Sequence, residues 1–296
     1  MRFTQIASLP SLGKVRLEAM SNVFEPTSAK LRELHSAVKI AYKKCQEGAR
    51  RRIFGLYLHR HIIEVHAALS TIVCRSLMQI HTTTNKGLHE FVAERVLARY
   101  AGPGIRAADL GSGPGAMAAR LHSFGCDVLA VDRSPEGFEA DLPHIALDFN
   151  QNDFASEFGP ASFDLVTAIE VIEHVESPIG FLRNIGRLLA PRGVAVITTP
   201  NVDSLPARAK FLLTGKIRTM DEFSEPTHIS PIFWDLLRRQ FLTRAGVRLR
   251  EHFLFPPNGY QLSRKAIAWT FRIAAAAFPG DSILGDNHIL VLETGR

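Results

Sequence analysis

Short apolar runs alternate with helix-like segments between about residues 105 and 200, and this pattern predicts a sheet with helices packed on it. Five runs have the length and composition of buried strands, and they cover residues 107–110, 127–132, 144–150, 163–170 and 194–201. Ahead of the fifth run, apolar residues at positions 181, 182, 185, 188 and 189 predict a helix with one buried face, ended by Pro191 and Gly193. Strands and helices that alternate in this way are typical of a doubly wound α/β domain.

Three alternate glycines directly follow the first apolar run, and a new helix is expected from about Met117. Glycine allows a backbone to approach a ligand closely. A turn from a strand into a helix is also where doubly wound sheets bind nucleotide-like ligands. The candidate cofactor-binding residues of this turn are Asp109, Gly111, Ser112, Gly113 and Gly115.

The glycine spacing alone fits two classes of cofactor. Gly111, Gly113 and Ala116 match the pattern of dinucleotide-binding turns, which favours a nicotinamide or a flavin. Asp109 argues against that class, because its carboxylate would repel a pyrophosphate. The amino group of a methionine moiety is a cation, and a carboxylate can pair with it through a charge-assisted hydrogen bond. The residues therefore favour S-adenosylmethionine.

Acidic residues also end the next two apolar runs. Asp132 lies 21 residues after Gly111, where an acid that binds both ribose hydroxyls is expected. Asp148 and Phe149 end the third run and can hydrogen-bond to and stack on an adenine. Each acid taken singly is explained equally well as a solvated turn residue, but three successive strand ends with Asp favour a binding site.

These motifs resemble those of the class I S-adenosylmethionine-dependent methyltransferases. The resemblance rests on Asp109-Leu-Gly-Ser-Gly-Pro-Gly115, Glu170-Val-Ile-Glu-His174, the segment 181–193 and Thr198-Thr-Pro-Asn201, and it covers about residues 86 to 250. It implies a Rossmann-like doubly wound α/β fold with seven strands and the last one antiparallel, for which residues 247–254 and 288–293 are candidates. It also implies S-adenosylmethionine as the cofactor.

The E-x-x-E-H pattern of Glu170, Glu173 and His174 raises the prospect of a metal site. If the chain turns helical after the fourth run, the spacing brings all three side chains to one face, and such groups suit a divalent cation. The pattern is similar to that of ubiquinone-pathway O-methyltransferases and of enzymes that methylate the terminal 2′-hydroxyl of small RNAs. That resemblance implies a magnesium site that acidifies the accepting hydroxyl, with His228 as a candidate fourth ligand.

The same residues allow two interpretations without a metal. In one, the Glu–His pair only shapes the pocket or caps a helix. In the other, His174 is the catalytic general base for a hydroxyl, with Glu173 beside it, because an imidazole titrates near neutrality. No protein nucleophile is needed in either case, since the sulfonium is already activated and catalysis is mainly alignment.

Basic residues are concentrated at the N-terminus. Residues 1–77 hold 13 Lys and Arg against 5 Glu, which is +8 in a chain whose net charge is +6. We expect residues 1–80 to form a helical, basic extension and residues 81–296 to form the methyltransferase domain, although Met78 is an alternative start. A basic helix suits nucleic acid, an anionic membrane surface or an acidic partner, and a solvated face explains it equally well.

Two segments between the late strands, 202–245 and 255–286, are expected to be insertions on the substrate side. The apolar stretch Ala266–Phe278 is interpreted as a lid or core helix over the sheet, with an interfacial helix as the alternative. No signal peptide or membrane span is evident. The three cysteines show no metal-binding spacing, and a cytoplasmic location is expected.

The sequence therefore predicts a methyltransferase that uses S-adenosylmethionine, with Mg²⁺ as a second candidate cofactor. The acceptor is expected to be a small hydroxylated molecule or a glycan- or lipid-linked one, methylated on oxygen. An RNA 2′-O-methyltransferase is the alternative, motivated by the E-x-x-E-H group and the basic N-terminus. A non-catalytic S-adenosylmethionine-binding partner of another enzyme is the third. The residues leave the acceptor atom and the oligomeric state open.

Overall fold

A mixed sheet of seven strands forms the centre of the computed structural model, which describes residues 80, 82, 84–134, 136–221, 226–262, 264–278 and 280–295. The strands are β1 (Arg106–Leu110), β2 (Asp127–Asp132), β3 (His144–Ala146), β4 (Phe163–Ile169), β5 (Leu189–Pro200), β6 (Val247–Phe255) and β7 (Asn287–Thr294). Their spatial order is β3-β2-β1-β4-β5-β7-β6. Strands β1 to β5 are parallel, and β7 runs antiparallel to both of its neighbours. The expected Rossmann-like sheet with an antiparallel last strand is confirmed.

Helices cover both faces of this sheet. They are α1 (Leu88–Arg95), α2 (Ala116–Ser123), α3 (Pro178–Leu188), α4 (Leu205–Thr214), α5 (Trp234–Leu236), α6 (Leu242–Ala245) and α7 (Lys265–Ala275). A π-helical segment, Leu237–Phe241, joins α5 to α6, and short 3₁₀ turns occupy Leu97–Arg99, Phe154–Glu157 and Ile172–His174. One core cluster includes residues of α3, α5 and α6, and a second includes residues of α1 and α2. Alternating side chains of the strands therefore enter two separate cores.

The helix that the apolar periodicity predicts before the fifth strand is α3. It begins with Ser177, whose hydroxyl accepts a hydrogen bond from the Gly180 N–H, and with Pro178 at its first position. The helix ends at Leu188, earlier than expected, and β5 starts at once with Leu189. Pro191 therefore lies in the irregular beginning of β5, where the pairing with β4 shifts register.

Helix α1 begins at Leu88, directly after Gly87, which adopts a left-handed φ of 85° at the N-cap. One other expectation needs correction. The stretch Ala266–Phe278 does contain a helix, α7, yet only Ala275 of that helix is buried. It packs on a small satellite cluster with Leu205 and Tyr260 rather than over the sheet.

The expected basic helical extension, residues 1–80, lies almost wholly outside the described residues. The division of the chain into that extension and a domain of residues 81–296 stays a prediction. Among the helices that the structure describes, none has the length and apolar character needed to cross a membrane.

Candidate functional site

A cavity of about 450 Å³ opens at the carboxyl ends of β1, β2 and β4. Ligands of doubly wound sheets bind at this edge, because the loops after adjacent parallel strands leave a crevice there. The residues that line it are Thr84, Gly111, Gly113, Asp132, Arg133, Asp148, Phe149, Asn150, Ile169, Glu170, Val171, His174, Val175, Thr227 and His228. Most of the residues predicted from the sequence therefore meet in one cavity.

The glycine turn is built from three left-handed residues with different surroundings. A Cβ atom on Gly111, at φ 70°, would lie 2.4 Å from Cγ2 of Val171, so this glycine permits close packing of the turn. A Cβ on Gly113, at φ 49°, would have no atom within 4 Å, so that glycine faces open space. Gly115 is the N-cap of α2 and packs against Phe138 and Ala140. Only Gly111 and Gly113 line the cavity.

The acids predicted to bind ribose and adenine lie on the cavity wall. Asp132 Oδ2 accepts a hydrogen bond from the Gly113 N–H at 2.8 Å, which ties the end of β2 to the glycine turn. Asp148 Oδ1 accepts from the Asn150 N–H at 3.0 Å. The Phe149 ring contacts Phe154 and Phe181, with centroids 5.2 and 5.6 Å away, so its orientation in the wall is set by the core.

Asp109 lies beneath the glycine turn rather than on the cavity wall. Only 1% of its surface is exposed, and Oδ1 accepts a hydrogen bond from the Thr167 hydroxyl at 2.7 Å. Burial raises the pKa of this carboxyl to about 7, while the Thr167 hydrogen bond acts in the opposite direction. Oδ2 has no hydrogen-bond partner within the described residues. Ser112 is also buried and does not line the cavity.

Glu170 directly follows β4 and has a left-handed φ of 56°, and its side chain reaches Asn287 at the start of β7. Its Oε1 accepts a hydrogen bond from the Asn287 side-chain amide, and Asn287 in turn accepts from Asn85 at 2.6 Å. The Glu170 N–H donates to the Thr198 hydroxyl at 2.9 Å. Burial raises the pKa of Glu170 to about 7, against the effect of the Asn287 amide. A carboxylate that is held in this way is oriented before any ligand binds.

Glu173, His174 and His228 form the chemically richest group of the site. Each offers a ligand atom, and these atoms lie within 4.8 Å of one another. Glu173 is fully buried, and neither of its carboxylate oxygens makes a hydrogen bond of ordinary geometry within the described residues, although the neighbouring Thr199 hydroxyl acts to lower its pKa. Burial and the nearby Glu170 raise the pKa of Glu173 well above its usual value. An unpartnered buried carboxyl beside two imidazoles can share a proton with them or bind a cation.

Backbone hydrogen bonds bring His228 to this group from the segment after β5. The N–H groups of Ile229 and Ser230 both donate to the Glu173 carbonyl, at 3.0 and 2.9 Å. The His228 Nδ1 lies 2.8 Å from the Thr219 carbonyl, and since a carbonyl only accepts, this nitrogen carries a proton. The other nitrogen of His228, Nε2, is then the one with a lone pair whenever the ring is neutral.

The structure brings together three of the four residues proposed as metal ligands and separates the fourth. A helix through residues 170–174 would place Glu170 on the same face as Glu173 and His174, but only Ile172–His174 forms a 3₁₀ turn, and the backbone at Glu170 is left-handed. Glu170 is therefore outside the group that lies within 4.8 Å.

Several residues that line the cavity are not among those that the sequence motifs predict. Arg133 and Asn150 follow predicted residues directly, so their position after a strand end was an available signal. Thr84 and Thr227 carry no such signal, because tertiary packing alone brings their segments to the cavity.

Comparison with known proteins identifies relatives over the part of the chain that carries this cavity. A family described as "Methyltransferase domain" matches residues 84–253. The chain is 35% identical over 114 residues to a ubiquinone biosynthesis O-methyltransferase of Xanthomonas campestris pv. campestris, covering 36% of this chain and 47% of that protein. It is 31% identical over 118 residues to the mitochondrial ubiquinone biosynthesis O-methyltransferase of Schizosaccharomyces pombe, covering 37% and 43%. The chain thus spans somewhat less than half the length of these relatives.

Among solved structures, the fold is similar to that of the YcgJ protein from Bacillus subtilis. The TM-score is 0.50 at 12% sequence identity, and the similar region covers 70% of this chain and 99% of that one. At this identity the similarity concerns the fold alone.

Proposed function

The chain belongs to the methyltransferase-domain family and is an S-adenosylmethionine-dependent methyltransferase, and we propose that it methylates a hydroxyl oxygen. The acceptor is a small hydroxylated molecule or a glycan- or lipid-linked one. One observation carries the proposal: the His174 and His228 imidazoles line the same cavity as the glycine turn, and the buried Glu173 carboxyl lies within 4.8 Å of both rings. Hydroxyl groups need such help, since they hold their proton at neutral pH.

The cofactor is proposed to lie along the carboxyl ends of β1 to β4. Asp132 would accept from the ribose hydroxyls, and Asp148 and Phe149 would hold the adenine by hydrogen bonding and stacking. The open space at Gly113 would accommodate the methionine portion near Glu170. Asp109 would support the turn from below, and a direct contact with the amino group would require the turn to move.

The acceptor hydroxyl is proposed to enter beside His174 and His228. A neutral imidazole there removes the hydroxyl proton as the oxygen attacks the methyl carbon and the sulfur departs with the bonding electrons. His174 Nδ1 lies 3.2 Å from the Thr227 carbonyl, which orients the ring. The Glu173 carboxyl lies within 4.8 Å of both rings, so in its ionised form it would stabilise the imidazolium that forms.

The same three residues fit a divalent cation, because two imidazoles and an otherwise unpartnered carboxylate are a reasonable ligand set. Such a cation would supply Lewis-acid polarisation of the accepting oxygen. Two nitrogen ligands suit zinc or iron better than magnesium, which prefers oxygen ligands. The chemistry of these three ligands therefore does not favour magnesium in particular.

The proposal is tested with S-adenosylmethionine that carries a labelled methyl group. The purified chain is offered polyhydroxylated aromatic compounds, glycans and lipid-linked glycans, each beside an analogue that lacks the hydroxyl. Label that appears only in the hydroxylated member of each pair supports O-methylation, whereas equal label in both members contradicts it. Repeating the reaction in excess chelator separates the two mechanisms, since a general-base reaction continues and a metal-dependent one stops until the ion is restored.

An RNA 2′-hydroxyl is the alternative acceptor for the same chemistry. Its main support, the basic segment of residues 1–77, lies outside the described residues. RNA binding that weakens steeply with salt would favour it, because phosphate contacts release counterions. Cofactor binding without methyl transfer to any acceptor in a cell lysate would instead favour the non-catalytic partner protein.

A further inference from the structure

Two neighbouring helices, α4 and α7, expose an unusual amount of apolar surface. Seven of the eleven large apolar side chains that are exposed in the described part of the chain belong to α4, α7 or the turn after α7. They are Phe211, Leu212, Leu213, Ile267, Trp269, Ile273 and Phe278. The two helices meet at an apolar groove whose lining includes Leu205 of α4 and Phe271 of α7. We call these helices and the turn the apolar face.

We propose that the apolar face docks on the surface of an anionic lipid bilayer. This inference concerns where the enzyme works and does not depend on the acceptor proposed above. It rests on three observations: how the apolar side chains are distributed around each helix, which charges accompany them, and how exposed the tryptophan is.

The C-terminal end of α4 is exposed to solvent. Three consecutive residues there, Phe211, Leu212 and Leu213, are exposed, the last two by 85% and 81%. Consecutive residues of a helix point in directions about 100° apart, so this tip is apolar on more than half of its circumference. A protein partner with a flat surface would cover one side of such a tip. Insertion into the acyl boundary of a membrane covers every side.

The charged side chains on and directly beside the apolar face are all basic. Residues 204–220 and 264–278, which hold the two helices and short adjoining segments, contain seven Lys and Arg and no Asp or Glu. Arg218 and Lys210 pair with acids of neighbouring segments. Arg264, Lys265 and Arg272 are exposed on or beside α7, and none of the three pairs with a carboxylate within the described residues. Cations beside an apolar helix face are complementary to anionic lipid headgroups.

An exposed tryptophan, Trp269, lies on the apolar face. Its side chain is 65% exposed on α7, between Lys265 and Arg272. Tryptophan is enriched where protein meets the membrane interface, because its ring is apolar and its indole N–H is polar. The chain contains two tryptophans, and the other, Trp234, is 7% exposed and stacked on His252. Changes in tryptophan fluorescence on docking therefore report on Trp269.

The experiment mixes the full chain with vesicles of phosphatidylcholine alone or with an equal part of phosphatidylglycerol. Cosedimentation and tryptophan emission are measured at low and high salt. We expect binding to the anionic vesicles with a blue-shifted emission, and weaker binding at high salt because salt screens the cations. The double variant Leu212→Ser with Leu213→Ser is expected to bind the anionic vesicles at least about tenfold more weakly, since the free energy of transfer scales with the apolar area that is buried.

Ile145→Ser is the matched control, because Ile145 is also an exposed apolar residue but is not part of the apolar face. It lies on edge strand β3, at the opposite edge of the sheet from β6 and β7, the strands that precede and follow α7 in the chain. This variant should bind vesicles as the wild type does. Calorimetric binding of S-adenosylhomocysteine, whose proposed contacts lie at the carboxyl ends of β1 to β4, shows that each variant is folded. Because vesicle binding and cofactor binding are measured without any methyl acceptor, failure of the docking proposal is distinguished from failure of the proposed function.

Three results would overturn the proposal. One is the absence of sedimentation with anionic vesicles at low salt. Another is equal binding by the α4 variant and the wild type. The third is protection of Trp269 from a water-soluble quencher in the absence of vesicles. Such protection would show that the apolar face is already covered, by residues 1–79 or by a second copy of the chain. Protection that depends on protein concentration identifies the second copy.

Discussion

The imidazole rings of His174 and His228 meet edge to face, with their centroids 4.5 Å apart, although the two residues are far apart in the chain. His174 belongs to the 3₁₀ turn after β4, whereas His228 comes from the loop after α4. The loop is tied to that turn by two backbone hydrogen bonds to the Glu173 carbonyl. The pair therefore keeps its geometry through main-chain contacts, and either side chain can be changed without removing them.

Replacement of either histidine by alanine is expected to lower methyl transfer by about 10²- to 10⁴-fold, the usual contribution of a positioned general base. Binding of S-adenosylhomocysteine should stay within about threefold of wild type, because the proposed cofactor contacts lie elsewhere in the cavity. Single-turnover rates and calorimetry measure the two effects. His122→Ala, at an exposed position of α2, is the control. Wild-type turnover in both His174→Ala and His228→Ala would remove this pair from the mechanism.

Asp132→Ala should weaken binding of S-adenosylhomocysteine by about 10- to 100-fold, because it removes an acceptor for the ribose and releases the Gly113 N–H. Asp127→Ala is the matched control, since Asp127 begins the same strand and is exposed at its opposite end. Calorimetric titration compares the two. Equal affinities in both variants would mean that the ribose does not lie at the end of β2.

The two cavity-lining glycines are expected to fail in different ways when each is changed to alanine. Gly111→Ala places a methyl group 2.4 Å from Val171 at a φ of 70°, so it should lower the free energy of unfolding by about 2–4 kcal/mol. Gly113→Ala has no such clash and should cost about 1 kcal/mol, the penalty of a left-handed alanine.

Denaturant unfolding measures the stability of both glycine variants, and calorimetry measures their cofactor affinity. Gly113→Ala should lose more affinity than its small loss of stability suggests. Its new methyl group points into the open space that the methionine portion of the cofactor is proposed to occupy. If instead Gly113→Ala unfolds as readily as Gly111→Ala, the described packing of the turn is incorrect.

Asp109 should give the stability a distinctive pH dependence. Its pKa is raised to about 7 in the folded state from an ordinary value of 3.8, so between these values the folded state holds more protons than the unfolded state. This contribution to the free energy of unfolding therefore decreases as pH rises from about 4 to 7, by about 1.4 kcal/mol for each pH unit. His89 and His288, whose pKa values burial lowers to about 4 and about 3, act in the opposite direction.

The difference between wild type and Asp109→Asn isolates that carboxyl, because both proteins contain the same histidines. Urea unfolding at several pH values should show the variant gaining on the wild type as pH rises toward 8. A difference that does not change with pH would mean that Asp109 is ionised with an ordinary pKa in the folded protein.

The order of strands and helices was largely predictable from the sequence. Strand β2 matches its predicted bounds, and β4 ends one residue before the predicted run does. Apolar periodicity decides such elements because it depends on residues close together in the chain. Element ends were less predictable: the run 144–150 gives a strand of only three residues, His144–Ala146, because the chain turns at Asp148 to reach the cavity.

The sequence by itself determined the class of cofactor and the reaction, because the glycine turn and the acids after each strand are local patterns that the sheet repeats at one edge. Only the tertiary structure decided how the E-x-x-E-H residues divide. Glu170 turns toward Asn287, 117 positions away, while Glu173 and His174 meet His228. Local spacing cannot foresee this, because a left-handed backbone at Glu170 and long-range hydrogen bonds choose the partners. The exposure of α7 was likewise open, since an apolar helix has the same sequence pattern whether a core or another surface receives it.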